Sequence, residues 1–321
     1  MWKNYSLASQ LVVAFLVALS LPFSVWAQLP ESAASAVRLS NEYGVESNIT
    51  YLTANNYDAK LDIYLPRNLK SPNPTLVYIH GGGWVNGTKE GASLQVLPWL
   101  EMGWTVVNVE YRLGRNSIAP AAVEDCRCAL RWVIRNAKQY NFDVNKIVLT
   151  GHSAGGHLSL ITGMLPSAAG LDRQCPSSFG KPPDPATDEP KVAAIINWFG
   201  ITDVGDLFDG PNAQSYAIAW LGSLPDRDEI ARRVSPLTYV RPGLPPVLTI
   251  HGDADPLVPY NHAVRFHQAL EKAGVPNQLL TIPGGKHGGF SGPEMERAYQ
   301  AIRDFLMKNK IWSPPAASAK P

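Results

Sequence analysis

A serine between two glycines, where a buried strand gives way to a helix, is the feature that most constrains this chain. Residues 151–155 read Gly-His-Ser-Ala-Gly, after the apolar run 147–150 and before a helical stretch. In such a strand–turn–helix context the turn is sharp, and a Cβ atom on either side of the serine would clash. The helix start also directs backbone N–H groups at the same place. The pattern therefore predicts that Ser153 is exposed beside donors that can stabilise an anion.

The length and composition are typical of one large α/β domain or of two small ones. The chain has 321 residues, of which 45% are hydrophobic, enough to bury a sizeable core. Its formal net charge is +1, and its lysines and arginines are scattered along the sequence. We therefore expect no nucleic-acid partner and no electrostatic attraction to an acidic membrane.

The first 27 residues have the pattern of a secretion signal. Lys3 supplies a positive charge, residues 11–21 are almost wholly apolar, and Ala27 ends a stretch with small residues at the cleavage positions. We expect cleavage after Ala27, so that the mature chain starts at Gln28 and is secreted or periplasmic, without stable membrane association. The alternative is an uncleaved membrane anchor, for which the apolar stretch is short.

Three cysteines on a chain that is expected to be exported allow one disulfide. Cys126 and Cys128 lie two residues apart on a predicted helix and cannot face each other well. Cys175 falls in a proline-rich insertion at 166–191. A bridge can form from Cys175 to either of the other two, which leaves one thiol free. The sequence contains no Cys or His spacing typical of a metal site, so we expect neither a metal nor another cofactor.

Apolar runs and helical stripes alternate along the chain, which predicts a mostly parallel sheet of about eight strands flanked by helices. Two early segments suit an antiparallel edge pair, because apolar and polar residues alternate in the second of them. We place the folded domain at 28–312, and we expect the Pro/Ala-rich tail at 313–321 to be disordered. The predicted strands are 48–53, 60–65, 75–79, 104–109, 147–150, 192–198, 246–251 and 277–282. The predicted helices are 94–99, 121–138, a helix after Ser153, 260–273 and 293–308, with a turn at 141–145 and irregular cap insertions at 166–191 and 204–228.

A serine hydroxyl is a poor nucleophile at neutral pH and needs a base, for which seven histidines compete. His287 lies in the glycine-rich stretch 284–290 just past the last predicted strand, so its loop can approach the serine closely. His80 and His251 end strands and are expected to orient loops. The others flank the serine or lie on a helix, and they cannot reach the hydroxyl well: His152, His157, His262 and His267. His287 is therefore the predicted base.

Asp255 is the predicted acid that holds His287 in the correct tautomer. It follows the predicted strand 246–251 and precedes a turn bounded by proline, from which its carboxylate can point across the sheet edge. Asp253 is the alternative, although short acids in turns commonly make hydrogen bonds within their own loop. Asp203, after an earlier strand, is a weaker rival.

A glycine-rich loop at the end of the predicted strand 75–79 can supply further donors. Attack on an ester carbonyl builds an oxyanion, which preorganised N–H groups stabilise by several kcal/mol. The backbone at 81–83 and the N–H of Ala154 are the predicted donors. Three aromatic residues adjoin these loops, and they either line a substrate pocket or simply pack in the core: Trp84, Trp198 and Phe290.

Together, four motifs resemble those of the α/β-hydrolase fold, and more narrowly those of the hormone-sensitive-lipase-like and feruloyl/acetyl esterase (BD-FAE-like) group. They are His-Gly-Gly-Gly-Trp at 80–84, Gly-His-Ser-Ala-Gly-Gly-His at 151–157, His-Gly-Asp-Ala-Asp at 251–255 and Gly-Lys-His at 285–287.

The resemblance covers about 48–308 and implies the order Ser153, Asp255, His287 for a catalytic triad. It also implies that Gly82, Gly83 and Ala154 form the oxyanion hole. The chain departs from the group in its insertion at 166–191, and in Cys126 and Cys128, where the group's helix usually has small apolar residues.

The sequence is thus expected to encode a secreted serine carboxylesterase that works through an acyl-enzyme without a cofactor. The resemblance implies short-chain or aromatic ester substrates, small or linked to plant polysaccharide, with acetyl and feruloyl groups as candidates. Two alternatives are a serine exopeptidase of the same fold and a hydrolase-fold binding protein without activity. Peptidases of that kind usually carry a large extra domain, and inactive homologues usually lack the serine or the histidine.

Overall fold

In the part of the chain that the structure describes, one helix and three consecutive strands come first, and helices then separate the remaining strands. The computed structural model describes residues 30–176, 189–208, 210–223 and 225–314. The predicted signal at 1–27 lies outside these residues, as does the predicted tail apart from 313 and 314. The chain divides into two units, Met1–Arg38 and Leu39–Pro321, and the sheet belongs to the second.

The strands are β1 (Tyr43–Ala54), β2 (Tyr57–Pro66), β3 (Asn73–Ile79), β4 (Thr105–Val109), β5 (Phe142–His152), β6 (Ala194–Trp198), β7 (Val247–Gly252) and β8 (Asn277–Ile282). The helices are α1 (Glu31–Glu42), α2 (Leu97–Glu101), α3 (Ala121–Arg135), α4 (Ala137–Tyr140), α5 (Ala154–Met164), α6 (Ser215–Leu221), α7 (Arg227–Val234), α8 (Asn261–Lys272) and α9 (Gly292–Lys308).

All eight strands form one sheet in the order β1-β2-β4-β3-β5-β6-β7-β8. The first two strands pair antiparallel, as the sequence predicts, and β2 also runs antiparallel to β4. The remaining neighbours are parallel. The predicted mostly parallel sheet of about eight strands is therefore confirmed.

Several boundaries differ from the prediction. The predicted turn at 141–145 is wrong, because β5 already begins at Phe142, directly after Asn141 takes a left-handed conformation with φ of 54°. The predicted helix 121–138 is two helices that meet at Asn136. Helix α1 has no counterpart in the prediction, since its sequence has only a weak apolar stripe and one buried residue, Leu39.

Two hydrophobic layers cover the two faces of the sheet. Alternation along β3 shows this directly, because Val77 and Ile79 join one cluster whereas Leu76 and Tyr78 join the other. All five residues of β4 and of β6 are buried, as is typical of central strands with helices on both faces.

The parallel strands carry the residues of interest to one edge of the sheet. Strand β3 ends just before the loop 80–84, and β5 ends at the residue before Ser153. Strand β7 ends three residues before Asp255, and the His287 loop follows β8. Because neighbouring parallel strands end at the same edge, four distant segments converge there.

A disulfide anchors the first insertion to α3. Cys128 is bonded to Cys175, and Cys126 is free and buried. Two arginines of α3 also hold this segment, since Arg131 Nη2 lies 2.6 Å and Arg127 Nη2 3.3 Å from Asp172 Oδ2. Residues 177–188 of the insertion lie outside the described residues.

The described residues contain no helix long and apolar enough to cross a bilayer. Among the same residues, no cluster of three or more His, Cys, Asp or Glu side chains could hold a metal ion.

We expect peptide mapping without reductant to recover Cys128 linked to Cys175. Cys126 should react with an alkylating agent only after unfolding, because its side chain is 1% exposed. Reduction of the bridge should lower the free energy of unfolding by about 2–4 kcal/mol. As a control, Cys126→Ser should retain the bridge, and a peptide that links Cys126 to Cys175 would contradict the assignment.

Candidate active site

Ser153 lies in a strained turn between β5 and α5. Its φ and ψ are 57° and −120°, which a residue with a side chain adopts only where the surroundings enforce it. Its N–H donates to the carbonyl of Trp198 at 2.9 Å. A Cβ atom on Gly151 or Gly155 would come within 2.3 Å or 2.1 Å of the carbonyl oxygen of Ile79. The two flanking glycines are therefore required by close packing against the end of β3.

His287 and Asp255 are joined by a hydrogen bond of 2.8 Å between Nδ1 of the ring and Oδ2 of the carboxylate. The other carboxylate oxygen accepts the backbone N–H groups of Leu257 at 2.8 Å and Val258 at 3.0 Å. The turn after β7 thus fixes both oxygens of Asp255, and one of them orients the imidazole.

The two rival aspartates have other partners. Asp253 accepts the N–H of Gly284 at 2.6 Å, so its partner lies in the loop after β8 and not, as expected, within its own loop. Asp203 lies 3.7 Å from Nη1 of Arg265. Neither aspartate contacts His287.

His251 also contacts Asp255, which the sequence reasoning did not identify. Its Nε2 lies 3.2 Å from Asp255 Oδ2 and 3.0 Å from the carbonyl oxygen of Val258, and the ring is fully buried. A nitrogen between two acceptors must carry a proton, so it is a donor here. The only signal in the sequence was the position of this histidine at the end of β7, four residues before the acid.

The electrostatics of Asp255 favour the ionised form. Burial raises the pKa of its carboxyl, but hydrogen bonds from His251, from His287 and from the N–H of Val258 outweigh burial and hold the pKa well below its usual value. The carboxylate is therefore ionised at neutral pH and can stabilise a proton on the imidazole of His287.

One cavity of about 380 Å³ contains both Ser153 and His287. The structure describes all seven histidines, and His287 is the one that lines this cavity. His152, next to the serine, instead points its Nδ1 at the hydroxyl of Tyr78 at 2.7 Å. Burial, and then the nearby charge of His287, lower the pKa of His152 to about 4. The complete lining is Gly82, Gly83, Val85, Asn86, Ser153, Phe199, Tyr216, Leu257 and His287.

The predicted glycine donors adjoin the serine. Gly82 and Gly83 have φ of 120° and 59°, and among the described residues their N–H groups donate to no backbone carbonyl. Ala154 is the first residue of α5, where backbone N–H groups have no partner within the helix. Gly82 and Gly83 line the same cavity as Ser153, and Ala154 follows the serine directly.

The predicted aromatic lining needs correction, because Trp84, Trp198 and Phe290 are not among the residues that line the cavity. The side chains of Trp84 and Trp198 are 0% and 1% exposed. Trp84 turns into the core, where its Nε1 donates to Nδ1 of His157 at 3.0 Å. Phe290 packs edge-on against Phe199, with ring centroids 5.8 Å apart.

Two aromatic residues that the sequence did not single out line the cavity instead. Phe199 has a φ of 39° and packs edge-on against the ring of His287, with centroids 4.7 Å apart. Tyr216 belongs to α6, within the second predicted insertion. Sequence neighbourhood identified the loops correctly, but it could not show in which direction each ring points.

Replacing His251 with Phe tests its contact with Asp255. Because the carboxyl has a lower pKa in the folded chain, its ionisation stabilises the fold above the unfolded pKa of about 3.9, and this contribution is lost as the pH falls through the folded pKa. His251→Phe removes one donor and raises the folded pKa of the carboxyl, so it should lower the free energy of unfolding more at pH 7 than at pH 2. Urea unfolding at both values measures the difference.

In an Asp255→Asn background the extra loss at pH 7 should disappear, since the carboxylate is then absent. Thr249→Val, a change at another buried position of β7, should have the same effect at both pH values. An unchanged pH dependence of His251→Phe in the Asp255→Asn background would contradict the contact.

Comparisons with known proteins match this chain to esterases. The family model described as BD-FAE matches residues 61–270. Among curated proteins, esterase LipC of Mycobacterium tuberculosis is 28% identical over 236 residues, which cover 71% of this chain and 56% of that protein. A probable isoprenylcysteine alpha-carbonyl methylesterase of Oryza sativa is 27% identical over 240 residues, which cover 71% of this chain and 55% of that protein. The chain thus spans little more than half the length of these relatives.

Solved structures are matched over nearly their full length. A truncated carbohydrate esterase from gut microbiota has a TM-score of 0.67 and 27% identity, with 84% of this chain and 97% of that chain covered. A propionate-bound thermophilic esterase of Thermogutta terrifontis has a TM-score of 0.69 and 27% identity, with 85% and 97% covered.

Proposed function

The chain belongs to the BD-FAE family and has the α/β-hydrolase fold, and from this premise we propose that it is a serine carboxylic ester hydrolase. The observation that carries the proposal is the hydrogen bond from His287 to Asp255 at a cavity that also contains Ser153. A base oriented by a buried acid, beside a serine in a strained turn, is the arrangement that nucleophilic acyl transfer requires.

In the proposed first half-reaction, Ser153 Oγ attacks the ester carbonyl carbon and passes its proton to Nε2 of His287. Asp255 stabilises the resulting imidazolium. The negative charge on the carbonyl oxygen is met by the N–H groups of Gly82, Gly83 and Ala154. The tetrahedral intermediate then expels the alcohol, which takes the proton from His287, and the acyl group remains on the serine.

The second half-reaction uses the same groups. Water attacks the acyl carbon and gives a proton to His287, and the same backbone donors hold the oxyanion. Collapse of this intermediate breaks the bond to Ser153, which recovers its proton from the imidazolium, and the carboxylic acid leaves. Each half-reaction conserves atoms and protons and needs no cofactor.

The lining of the cavity favours the proposal that the substrates are esters with a short acyl chain or an aromatic group. Its side-chain walls are Val85, Phe199, Tyr216 and Leu257, and the polar side chains are those of Asn86 and the two catalytic groups. Such walls favour uncharged substituents of limited size. We propose acetyl or feruloyl esters of plant polysaccharide as substrates. The name of one structural neighbour, a carbohydrate esterase, and the propionate bound by another are consistent with this class.

Ser153→Ala tests the proposed activity. Wild type should hydrolyse p-nitrophenyl esters, methyl ferulate or acetylated xylan, and the variant should lose about 10⁴-fold or more in kcat. A fluorophosphonate probe should label Ser153 alone. As a control, Ser159→Ala changes a buried serine of α5 that bonds the carbonyl of Gly155, and it should retain activity.

Hydrolysis that survives in Ser153→Ala, or labelling at another residue, would overturn the mechanism. Amide turnover far above ester turnover would favour an exopeptidase, and a folded wild type that neither reacts nor hydrolyses would favour a binding protein.

We also propose that the chain is exported and cleaved after Ala27. The charged and apolar pattern of the first 27 residues supports this proposal, and the Cys128–Cys175 bridge suits an oxidising compartment.

N-terminal sequencing of the expressed protein should start at Gln28. Ala27→Arg should block cleavage, because the last position of the signal needs a small residue, whereas Ala34→Arg, past the cleavage point, should not. A mature chain that retains residues 1–27 would overturn the proposal.

A further inference from the structure

We propose that Tyr216 sets the size of the ester that the enzyme accepts. We also propose that its ring holds in place the loop 80–84, here called the donor loop because it contains the proposed anion donors Gly82 and Gly83. This inference rests on the ester hydrolysis proposed above. It assigns a role to the second insertion, 204–228, which sequence motifs leave without one.

The ring of Tyr216 lies directly against Gly83. A Cβ atom on Gly83 would lie 2.9 Å from both Cβ and Cγ of the tyrosine and 3.0 Å from Cδ2. Gly83 has a left-handed φ of 59°, so its conformation and its contact with the ring both require glycine. The ring therefore limits how far the loop 80–84 can move at Gly83.

The hydroxyl of Tyr216 reaches the loop that carries the acid. It donates to the carbonyl oxygen of Leu257 at 3.2 Å, and the N–H of Leu257 donates to Asp255. Burial, and then the charge of Asp255, raise the pKa of Tyr216 well above its usual value, so the phenol keeps its proton and remains a donor. One side chain thus spans from the donor loop to the loop of the acid.

Helix α6 is anchored so that the tyrosine cannot easily swing aside. Trp220, one turn further along, stacks on Trp84 with ring centroids 4.2 Å apart and is fully buried. Trp84 also contacts the ring of Tyr216, with centroids 5.9 Å apart. Residues four apart lie on the same face of a helix, so both aromatic side chains of α6 pack against the loop 80–84.

The side chain of Tyr216 is held by its contacts with Gly83 and with Leu257. The space that an ester can occupy therefore depends on the size of this side chain. A smaller side chain should admit longer substituents, and it should also loosen Gly83. The effects of the ring and of the hydroxyl can be separated by experiment, because the ring bounds the cavity whereas the hydroxyl only hydrogen-bonds the loop of the acid.

The test is a series of p-nitrophenyl esters from acetate to octanoate, measured as kcat/KM for variants with wild-type circular dichroism. Tyr216→Ala should raise the ratio of octanoate to acetate by about tenfold or more, in line with the discrimination per methylene in apolar pockets. It should also lower kcat for acetate. Tyr216→Phe keeps the ring and should retain the wild-type ratio.

Ile218→Ala is the matched control, because this residue of α6 is 44% exposed and does not line the cavity. It should leave both the ratio and kcat unchanged. If Tyr216→Ala does not fold, Tyr216→Leu, which is also smaller than the ring, should raise the ratio in the same direction.

A wild-type ratio in both small variants, or an equal loss with every ester, would overturn the inference while the proposed function stands. Wild-type protein that hydrolyses no ester of the series would overturn the proposed function and this inference with it.

Discussion

The close approach of the Ser153 turn to the end of β3 is the constraint on which the site depends. The carbonyl oxygen of Ile79 lies where Cβ atoms of Gly151 and Gly155 would otherwise be. This contact has two consequences at once. It requires glycine on both sides of the strained serine, and it places the loop that follows β3 against the serine turn. The serine and its proposed anion donors are therefore positioned by one piece of packing, which explains why two glycines cannot be replaced without moving a central strand.

The acid–base pair depends on a second constraint, the hydrogen bonding of one carboxylate. Asp255 accepts two backbone N–H groups on one oxygen and two histidines on the other. Four donors offset the desolvation of the charge, which would otherwise favour the neutral acid. The acid can then remain ionised in a site with apolar walls. His251 is buried and His287 lines the cavity, so the buried histidine supports the carboxylate that orients the histidine at the cavity.

Sequence reasoning identified the loops that meet at the candidate site. The serine turn, the glycine loop and the His287 loop were each recognisable because they follow a strand and carry small residues at fixed offsets. It did not identify His251 or Tyr216. Nothing local distinguishes a strand-terminal histidine that orients a loop from one that contacts the acid. Likewise, a tyrosine in an irregular insertion has no recognisable role until α6 is seen to pack across the cavity. Trp84 shows the opposite error, since it adjoins the site in sequence but turns into the core.

The sequence by itself determined the class of fold, the edge of the sheet at which the chemistry lies, and the three side chains proposed to perform it. These depend on strand and helix periodicity and on turn chemistry, which act over a few residues. The tertiary structure alone decided the strand order, the pairing of Cys128 rather than Cys126, and the walls of the cavity. Each of these depends on which face of a helix or strand contacts a partner that is distant in sequence. Those contacts form only when the two hydrophobic layers pack on the faces of the sheet.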